Sequence, residues 1–335
     1  MSLSSKELHE ESIIVDACCP LLVMKDYVDW YREGGVTVAC PTVGGFHRAM
    51  DTFKFIGSWL QFIKERDDLV LIRTAGDIKK AKAEGKLGVL MHFQGTDPIE
   101  DCLDLVNVFK SLGVSIMQLT YNVKNRIGDG IQERTDAGLS TFGANFIHRC
   151  NQQGVIVDCS HTGYQTSMEA IEVSEQPVIL SHANPRGVFD RSRNVPDDLI
   201  RAIAKNGGVI GVVGYPGFVA DSPRPTLNQF MDHIDYLVNI AGIDHVGLGI
   251  DYYAGMHGVA DLKMAMQAYQ EAKASGRWSG DAYPPPPYYY PEGIETPQTL
   301  SNLTAGLMER GYSEQDTRKI LGSNWTRVYE TVLGE

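Results

Sequence analysis

Short, nearly continuous apolar runs recur along the whole chain, at 13–17, 36–43, 88–93, 114–120, 155–159, 178–181, 209–213 and 246–250. Most are rich in β-branched residues, and they lack the in/out alternation of a strand with one wet face, so each reads as a strand covered on both sides. Between most of them lie segments with helical spacing and helix caps. Asp97-Pro98 opens one, with Asp as N-cap, Pro in the first turn, and Leu103, Val106 and Phe109 following on one side. Ser140 opens a second, whose apolar positions Phe146, Ile147 and Cys150 lead to Gly154; Pro196-Asp197-Asp198 opens a third, with Leu199, Ile200 and Ile203 before Asn206-Gly207-Gly208. Alternating strand and helix dictates a parallel α/β sheet, because parallel strands need crossover connections, and eight repeats favour closure into a (β/α)8 TIM-like barrel. An open doubly wound sheet is the alternative, but it more often has five or six strands and a Gly-rich first turn, which this sequence lacks.

The 335 residues then read as a single barrel domain, 1–335, with an insertion at about 255–291 after strand eight. Within it, 260–277 holds good helix formers, and Pro284 to Pro287 with Tyr288, Tyr289, Tyr290 and Pro291 form a stiff polyproline-like segment. Such a segment is either a surface excursion or a lid or subunit contact at the barrel mouth. Residues 302–332 read as two helices separated by a capping turn at Gly311-Tyr312-Ser313-Glu314. The charge of −12, from 30 Lys+Arg against 42 Asp+Glu, excludes a nucleic acid or an anionic membrane as the main partner, since both need clustered cations. No signal peptide, membrane anchor or apolar run near about 18 residues is visible. The six cysteines have no zinc-ribbon or redox spacing, so reduced thiols in a cytoplasmic protein are expected.

In barrels of this type the chemistry lies at the carboxyl ends of the strands. Those ends carry Asp16 to Pro20, His92-Phe93-Gln94-Gly95, Tyr121-Asn122, Ser160-His161, Ser181-His182 and Asp251. His161 and His182 end consecutive strands, one β-helix-β step apart. Two imidazoles so placed can hold one zinc-like ion, and the nearby Asp251 can take a proton from an attacking water.

The chain resembles the membrane dipeptidase (renal dipeptidase) family, peptidase family M19 of the amidohydrolase superfamily. The resemblance spans nearly the whole sequence, through Val157-Asp-Cys-Ser-His161, Val178-Ile-Leu-Ser-His182-Ala-Asn-Pro-Arg186, Arg191-Ser-Arg193-Asn-Val-Pro-Asp-Asp198, Gly247-Leu-Gly-Ile-Asp251 and Ile320-Leu-Gly-Ser-Asn-Trp-Thr-Arg327. It implies a distorted (β/α)8 barrel of the metallo-dependent hydrolase type and, in active members, a two-zinc site that hydrolyses dipeptides. It further implies that His161 and His182 hold one metal, that Asp251 handles the proton of the attacking water, and that Arg193 holds the substrate carboxylate, a task suited to a guanidinium. Asn122 falls in a matching substrate-binding stretch, and Tyr121 stands where the family has a histidine that polarises the scissile carbonyl.

Three departures bear on the metal. The family's first-strand His-x-Asp is Cys18-Cys19-Pro20, and its bridging glutamate is Gln94. A bridged two-zinc centre needs anionic ligands that these residues do not supply. The expectation is therefore one zinc ion on His161 and His182, with Gln94 oxygen, Cys18 thiolate, Asp251 or water completing it, acting on a dipeptide or similar small amide. Cys18 as a covalent nucleophile, and an inactive barrel that binds a zwitterionic ligand or a protein partner, are the competing readings. His92, two residues before Gln94 and on the same strand face, is expected to be a buried histidine bonded to a neighbour. The resemblance makes a homodimer the expected assembly.

Overall fold

The computed structural model describes residues 3–259, 261–280 and 282–335. Eight parallel strands pair in chain order and close on themselves. Val15–Asp16 lies beside Val38–Ala39, which pairs with Leu87–Val89. Farther along the same two strands, Thr42–Gly44 pairs with Met91–Phe93, followed by Val114–Gln118, Ile156–Asp158 and Val178–Ile179. A bridge from Leu180 to Ile210 carries the order to Ile210–Val212 and Val246–Leu248, and Leu248 pairs back onto Asp16. The eight apolar runs thus supply the eight barrel strands.

The second strand is interrupted at Cys40 and Pro41, where a residue without an N–H cannot continue the ladder. The third changes partners at Leu90. Below it, Leu87–Val89 sits between Val38–Ala39 and an additional parallel strand, Leu69–Leu71, which was not among the expected runs. Above it, Met91–Phe93 sits between Thr42–Gly44 and Val114–Gln118, with a shift in register. This distorts the barrel on the side of strands two and three.

Helix boundaries follow the caps in two of three cases. Ser140 accepts the Gly143 N–H at the start of Thr141–Gln153, and Gly154 ends that helix in the left-handed region at φ 63°. Pro196 precedes Asp197–Lys205. The third case is corrected: Asp97–Ile99 forms only a 3-10 turn, and the α-helix starts at Asp104. The turn ends at Glu100, which takes φ 52° and accepts from Arg48 and from the Ala49 N–H at the start of helix Ala49–Lys64. Glu100 caps a neighbouring helix instead of extending its own.

The barrel interior is filled by residues such as Val15, Val38, Ile116, Ile156 and Ile179, and its lower end is plugged by Trp325 and Tyr329 of the last helix, Asn324–Leu333. Trp325 donates its indole N–H to the Leu248 carbonyl. That helix continues from Glu314–Arg318, which Ser313 caps, so the expected C-terminal helix pair is present. After strand eight the chain forms helix Leu262–Ala274 and then returns over the carboxyl end of the barrel. Residues 260 and 281 of the expected excursion lie outside the described residues. No helix among the described residues is long and apolar enough to cross a membrane.

Candidate functional site

Five non-glycine residues among those described have positive φ, and three of them are Asn122 (61°), His161 (60°) and Asp251 (63°). An L-residue in the left-handed region costs about 1–2 kcal/mol and persists where its surroundings over-determine it. Here strand ends hold one another: the His161 carbonyl accepts from Asn122 N (3.2 Å) and Ile131 N (2.8 Å), and Asp251 N donates to the Cys18 carbonyl (3.1 Å). The sharp turn at each end aims the side chain across the mouth rather than along the strand.

The two imidazoles face each other, with His161 Nε2 2.8 Å from His182 Nε2. Their other nitrogens are anchored behind. His161 Nδ1 lies 2.7 Å from Asn122 Oδ1, an oxygen that only accepts. His182 Nδ1 lies 2.7 Å from Ser181 Oγ, whose own proton goes to Asp158 Oδ2 at 2.5 Å. These contacts set His182 as the Nδ1–H tautomer, and at His161 the Asn122 oxygen at 2.7 Å outweighs the Arg193 Nε–H at 3.2 Å in setting the same tautomer, so both Nε2 lone pairs point toward one another. Burial, reinforced by the Arg193 charge, pulls both pKa values well down, so both rings are neutral near pH 7. The donor nearest these two inward lone pairs is the Gln94 amide, at a long 3.4 Å from His182 Nε2, and a cation would satisfy both of them more fully.

Asp158 is the fixed anion beneath this pair. It is fully buried and accepts from Ser160 N, Ser181 N, Ser181 Oγ and His92 Nε2. Burial alone would raise its pKa, but the His92 and Ser181 bonds and the nearby imidazoles hold it well below the usual carboxylate range. His92 is the buried, partnered histidine that the sequence suggests.

Cys18, His182 and Asp251 bring ligand atoms within 4.8 Å of one another. The Cys18 S–H donates to Asp251 Oδ1 at 3.4 Å. Burial, with Asp251 next, pushes the Cys18 thiol well up, so no lowered pKa marks it as a free nucleophile. Asp251 is itself pushed up to about 7, desolvation outweighing the Arg193 charge and the Cys18 bond. Gln94 departs from expectation. Its oxygen accepts from Thr42 (3.0 Å), while its NH2 faces Cys18 Sγ (3.2 Å) and His182 Nε2 (3.4 Å). An amide nitrogen is no metal ligand, so in this arrangement Gln94 fills the gap beside the donors instead of joining them.

Arg193 is fully buried. Its Nη2 donates to the His182 carbonyl at 3.0 Å, its Nε points at His161 Nδ1 (3.2 Å), and its Nη1 has no partner among the described residues. No carboxylate among those residues forms a salt bridge with it. A buried guanidinium with an unmet donor calls for an anion from outside.

The excursion after strand eight covers these groups. Trp278 donates to Tyr121 Oη (2.9 Å) and stacks on Tyr283 with centroids 4.8 Å apart. Tyr121 in turn stacks on the His161 ring at 4.0 Å. Asn122 Nδ2 donates to the Arg277 carbonyl (2.8 Å) and to Tyr283 Oη (2.7 Å). Asn122, assigned to substrate from the sequence, thus bonds His161 with one end and the cover with the other. Farther on, the Tyr290 hydroxyl donates to the Asp251 carbonyl. Under the cover is a cavity of about 30 Å3 lined by Gln94, Tyr121, His161, Asp251 and Trp278, room for about one water.

The structure brings His161, His182, Cys18, Gln94, Asp251, Arg193, Asn122 and Tyr121 to one mouth. Sequence reasoning missed Ser181 and Asp158 as the groups that fix His182, for which the Ser-His ending of strand six was a signal. It left the excursion after strand eight open between a surface feature and a lid, and did not single out Arg277, Trp278 and Tyr283 as the residues that make the cover.

A family model described as membrane dipeptidase (peptidase family M19) matches residues 40–271, a stretch that begins beyond Cys18 to Pro20. An amidohydrolase structure from Pseudomonas aeruginosa is 34% identical, with TM-score 0.89 over 99% of this chain and 100% of that one. A metallo peptidase from Rhodobacter sphaeroides, liganded with a phosphinate mimic of the dipeptide L-Ala-D-Ala, is 20% identical with TM-score 0.79 over 96% and 99% of the two chains, a likeness of fold. An uncharacterized dipeptidase from Schizosaccharomyces pombe is 28% identical over 93% of this chain and 68% of its own length.

Proposed function

Because the chain belongs to the membrane dipeptidase family, peptidase family M19, we propose that it is a metal-dependent hydrolase of a dipeptide or similar small amide, built around one metal ion rather than two. The observation that carries this reading is the pair of imidazole Nε2 atoms 2.8 Å apart, both tautomers fixed from behind, beside the Cys18–His182–Asp251 cluster. His161, His182 and Cys18 would hold the ion, a mixed nitrogen and sulfur donor set that suits zinc, with Asp251 on the remaining side. Pro20 offers no side-chain ligand and Gln94 no anion, which leaves a second ion without a site.

An ion held there would supply Lewis acidity toward the scissile carbonyl and the attacking water. The chain's own residues do the rest. Arg193 Nη1 receives the substrate carboxylate and fixes the amide across the imidazole pair. The Tyr121 hydroxyl accepts the Trp278 N–H and keeps its own proton to donate to the carbonyl oxygen. Asp251 takes the proton of the water as its oxygen bonds to the carbonyl carbon, and returns it to the amide nitrogen as the C–N bond breaks. Asn122 is a positioning residue, holding His161 and the cover rather than reaching the substrate. Trp278 and Tyr283 exclude bulk water while closed, and they must move for substrate to enter a 30 Å3 space.

Hydrolysis of a dipeptide panel by zinc-supplemented protein tests the reading, with Arg193→Lys as the control. The variant keeps a charge but loses the planar fork, and kcat/KM should fall about 100-fold, mainly through KM. Folded protein that hydrolyses nothing with or without added zinc contradicts the enzyme reading and leaves a ligand-binding barrel.

A further inference from the structure

Beside the covered cavity, on the side of strands one to three, lies a cleft of about 410 Å3. Pro20, Gln94 and Tyr253 line both spaces, so the two adjoin through these residues. The cleft's size is that of a small-molecule site. Its wall is built largely from Pro20, Val23, Val43, Phe46, Phe55 and Tyr253. Val23 and Phe46 are among the exposed large apolar residues, 51% and 38% exposed, so the wall presents apolar surface to whatever enters the cleft.

The direction of a bound substrate follows from the order of groups across the mouth. Arg193 touches the His182 carbonyl and the back of the His161 ring. Gln94 and Cys18 lie on the other side, Gln94 Nε2 approaching His182 Nε2 and the Cys18 sulfur. A molecule whose carboxylate sits on Arg193 therefore crosses the imidazole pair with its amide and sends its acyl part past Gln94 and Pro20 into the cleft.

The neck of the cleft is uncharged. Pro20 is apolar, and Gln94 is an amide tied to the Thr42 hydroxyl. Thr52, deeper in the wall, offers only a hydroxyl. The one carboxylate in the lining is Asp51, on the exposed rim and already 3.0 Å from Lys54 Nζ. The carboxylate nearest the neck is Asp251, on the cavity side, where it accepts from Cys18 and is required as the base; an ammonium carried past the neck into the cleft would lose its water without gaining an anion, a penalty that an uncharged chain avoids.

We propose that this cleft takes the neutral apolar acyl group of an N-acylated amino acid, so that the preferred substrate is an N-acyl amino acid with an aliphatic or aromatic acyl chain rather than a dipeptide with a free amine. The proposal rests on the hydrolytic reading above for the position of the bond, but the recognition it describes does not need turnover. Cleavage adds water across the acyl C–N bond and releases a carboxylic acid and the amino acid.

The test uses the full chain reconstituted with zinc and a series of N-acyl alanines from acetyl to octanoyl, against Leu-Ala and Phe-Ala. Each added methylene should raise kcat/KM about three- to fourfold until the cleft is full, as apolar burial predicts. The longer acyl alanines should exceed both dipeptides at least tenfold. Val23→Trp, at a half-exposed position that leaves the core untouched, should erase the gain from chain length, so that N-octanoyl- and N-acetylalanine become equal in kcat/KM. Calorimetry of N-octanoyl- and N-acetylalanine on the metal-free protein gives the same comparison as affinity. Tighter octanoyl binding with no turnover of any substrate supports the cleft assignment and contradicts the hydrolytic reading. Indifference to chain length, or a tenfold preference for the free-amine dipeptides, overturns the proposal.

Discussion

Asn122 joins the imidazole pair to its cover, and replacing it with Asp separates the two roles. Asp keeps an oxygen for the His161 Nδ1–H and tolerates the left-handed backbone at φ 61° as Asn does. It removes the N–H donors now given to the Arg277 carbonyl and Tyr283 Oη. The Tyr283 hydroxyl can turn its own proton toward the new carboxylate, so that contact survives with its direction reversed. The Arg277 carbonyl cannot adapt: it loses a bond worth about 1 kcal/mol and is left facing an oxygen, a further penalty of about 1 kcal/mol or more. The cover should open about 2 kcal/mol more readily, which is roughly 30-fold in its opening equilibrium. Trypsin reads this directly, because cleavage after Arg277 follows the open population when closing is faster than cutting. Cleavage at that bond should accelerate roughly 30-fold, with little change in the urea midpoint of the whole protein. A folded Asn122→Asp protein cleaved at the wild-type rate would refute the view that this amide latches the cover.

Two further outcomes follow from the structure. His233 is buried in helix Leu227–Ala241, with Nε2 2.8 Å from the Val219 carbonyl, and desolvation pulls its pKa down to about 4. An unfolded His titrates near 6.5, so below that pH the unfolded chain takes up a proton that the folded chain refuses at this position; His233 alone lowers stability by about 3 kcal/mol as pH drops from about 6.5 to about 4, beside the like contributions of His161 and His182. His233→Gln should make that limb shallower in a series of urea midpoints against pH, and an unchanged slope would show that His233 does not contribute to it. Separately, the triple change Cys18→His, Pro20→Asp, Gln94→Glu restores the imidazole and two carboxylates to the site, and zinc uptake should rise from about one ion per chain to two. A folded triple variant that still binds one would show that these residues are not the cause.

The fold was legible where physics is local. Runs covered on both faces gave the eight strands, and Ser140, Gly154 and Pro196 marked helix ends through caps that act within a turn. The strand Leu69–Leu71 was not legible, because three apolar residues between two helices carry no period; it exists only because Leu87–Val89 offers an unpaired edge below the point where the third strand changes neighbours. The helix expected at Asp97 failed for a tertiary reason, since Glu100 turns aside to cap Ala49. At the site, residue types and spacing selected the strand-end polar residues. They did not give orientation: whether Gln94 shows oxygen or nitrogen to His182 depends on the Thr42 hydroxyl, and the role of Asn122 depends on Arg277, 155 residues away. The left-handed turns at His161 and Asp251 were likewise hidden, as neither residue type announces them.

The central claim is that two inward-facing histidines, a thiol in place of a metal ligand and an amide in place of an anion make a one-metal site. Zinc content of the purified chain after reconstitution and removal of excess metal, measured by elemental mass spectrometry on wild type and His182→Ala, tests it directly. About one zinc per wild-type chain and essentially none in the variant is the predicted result; two per wild-type chain, or none at all, would contradict it.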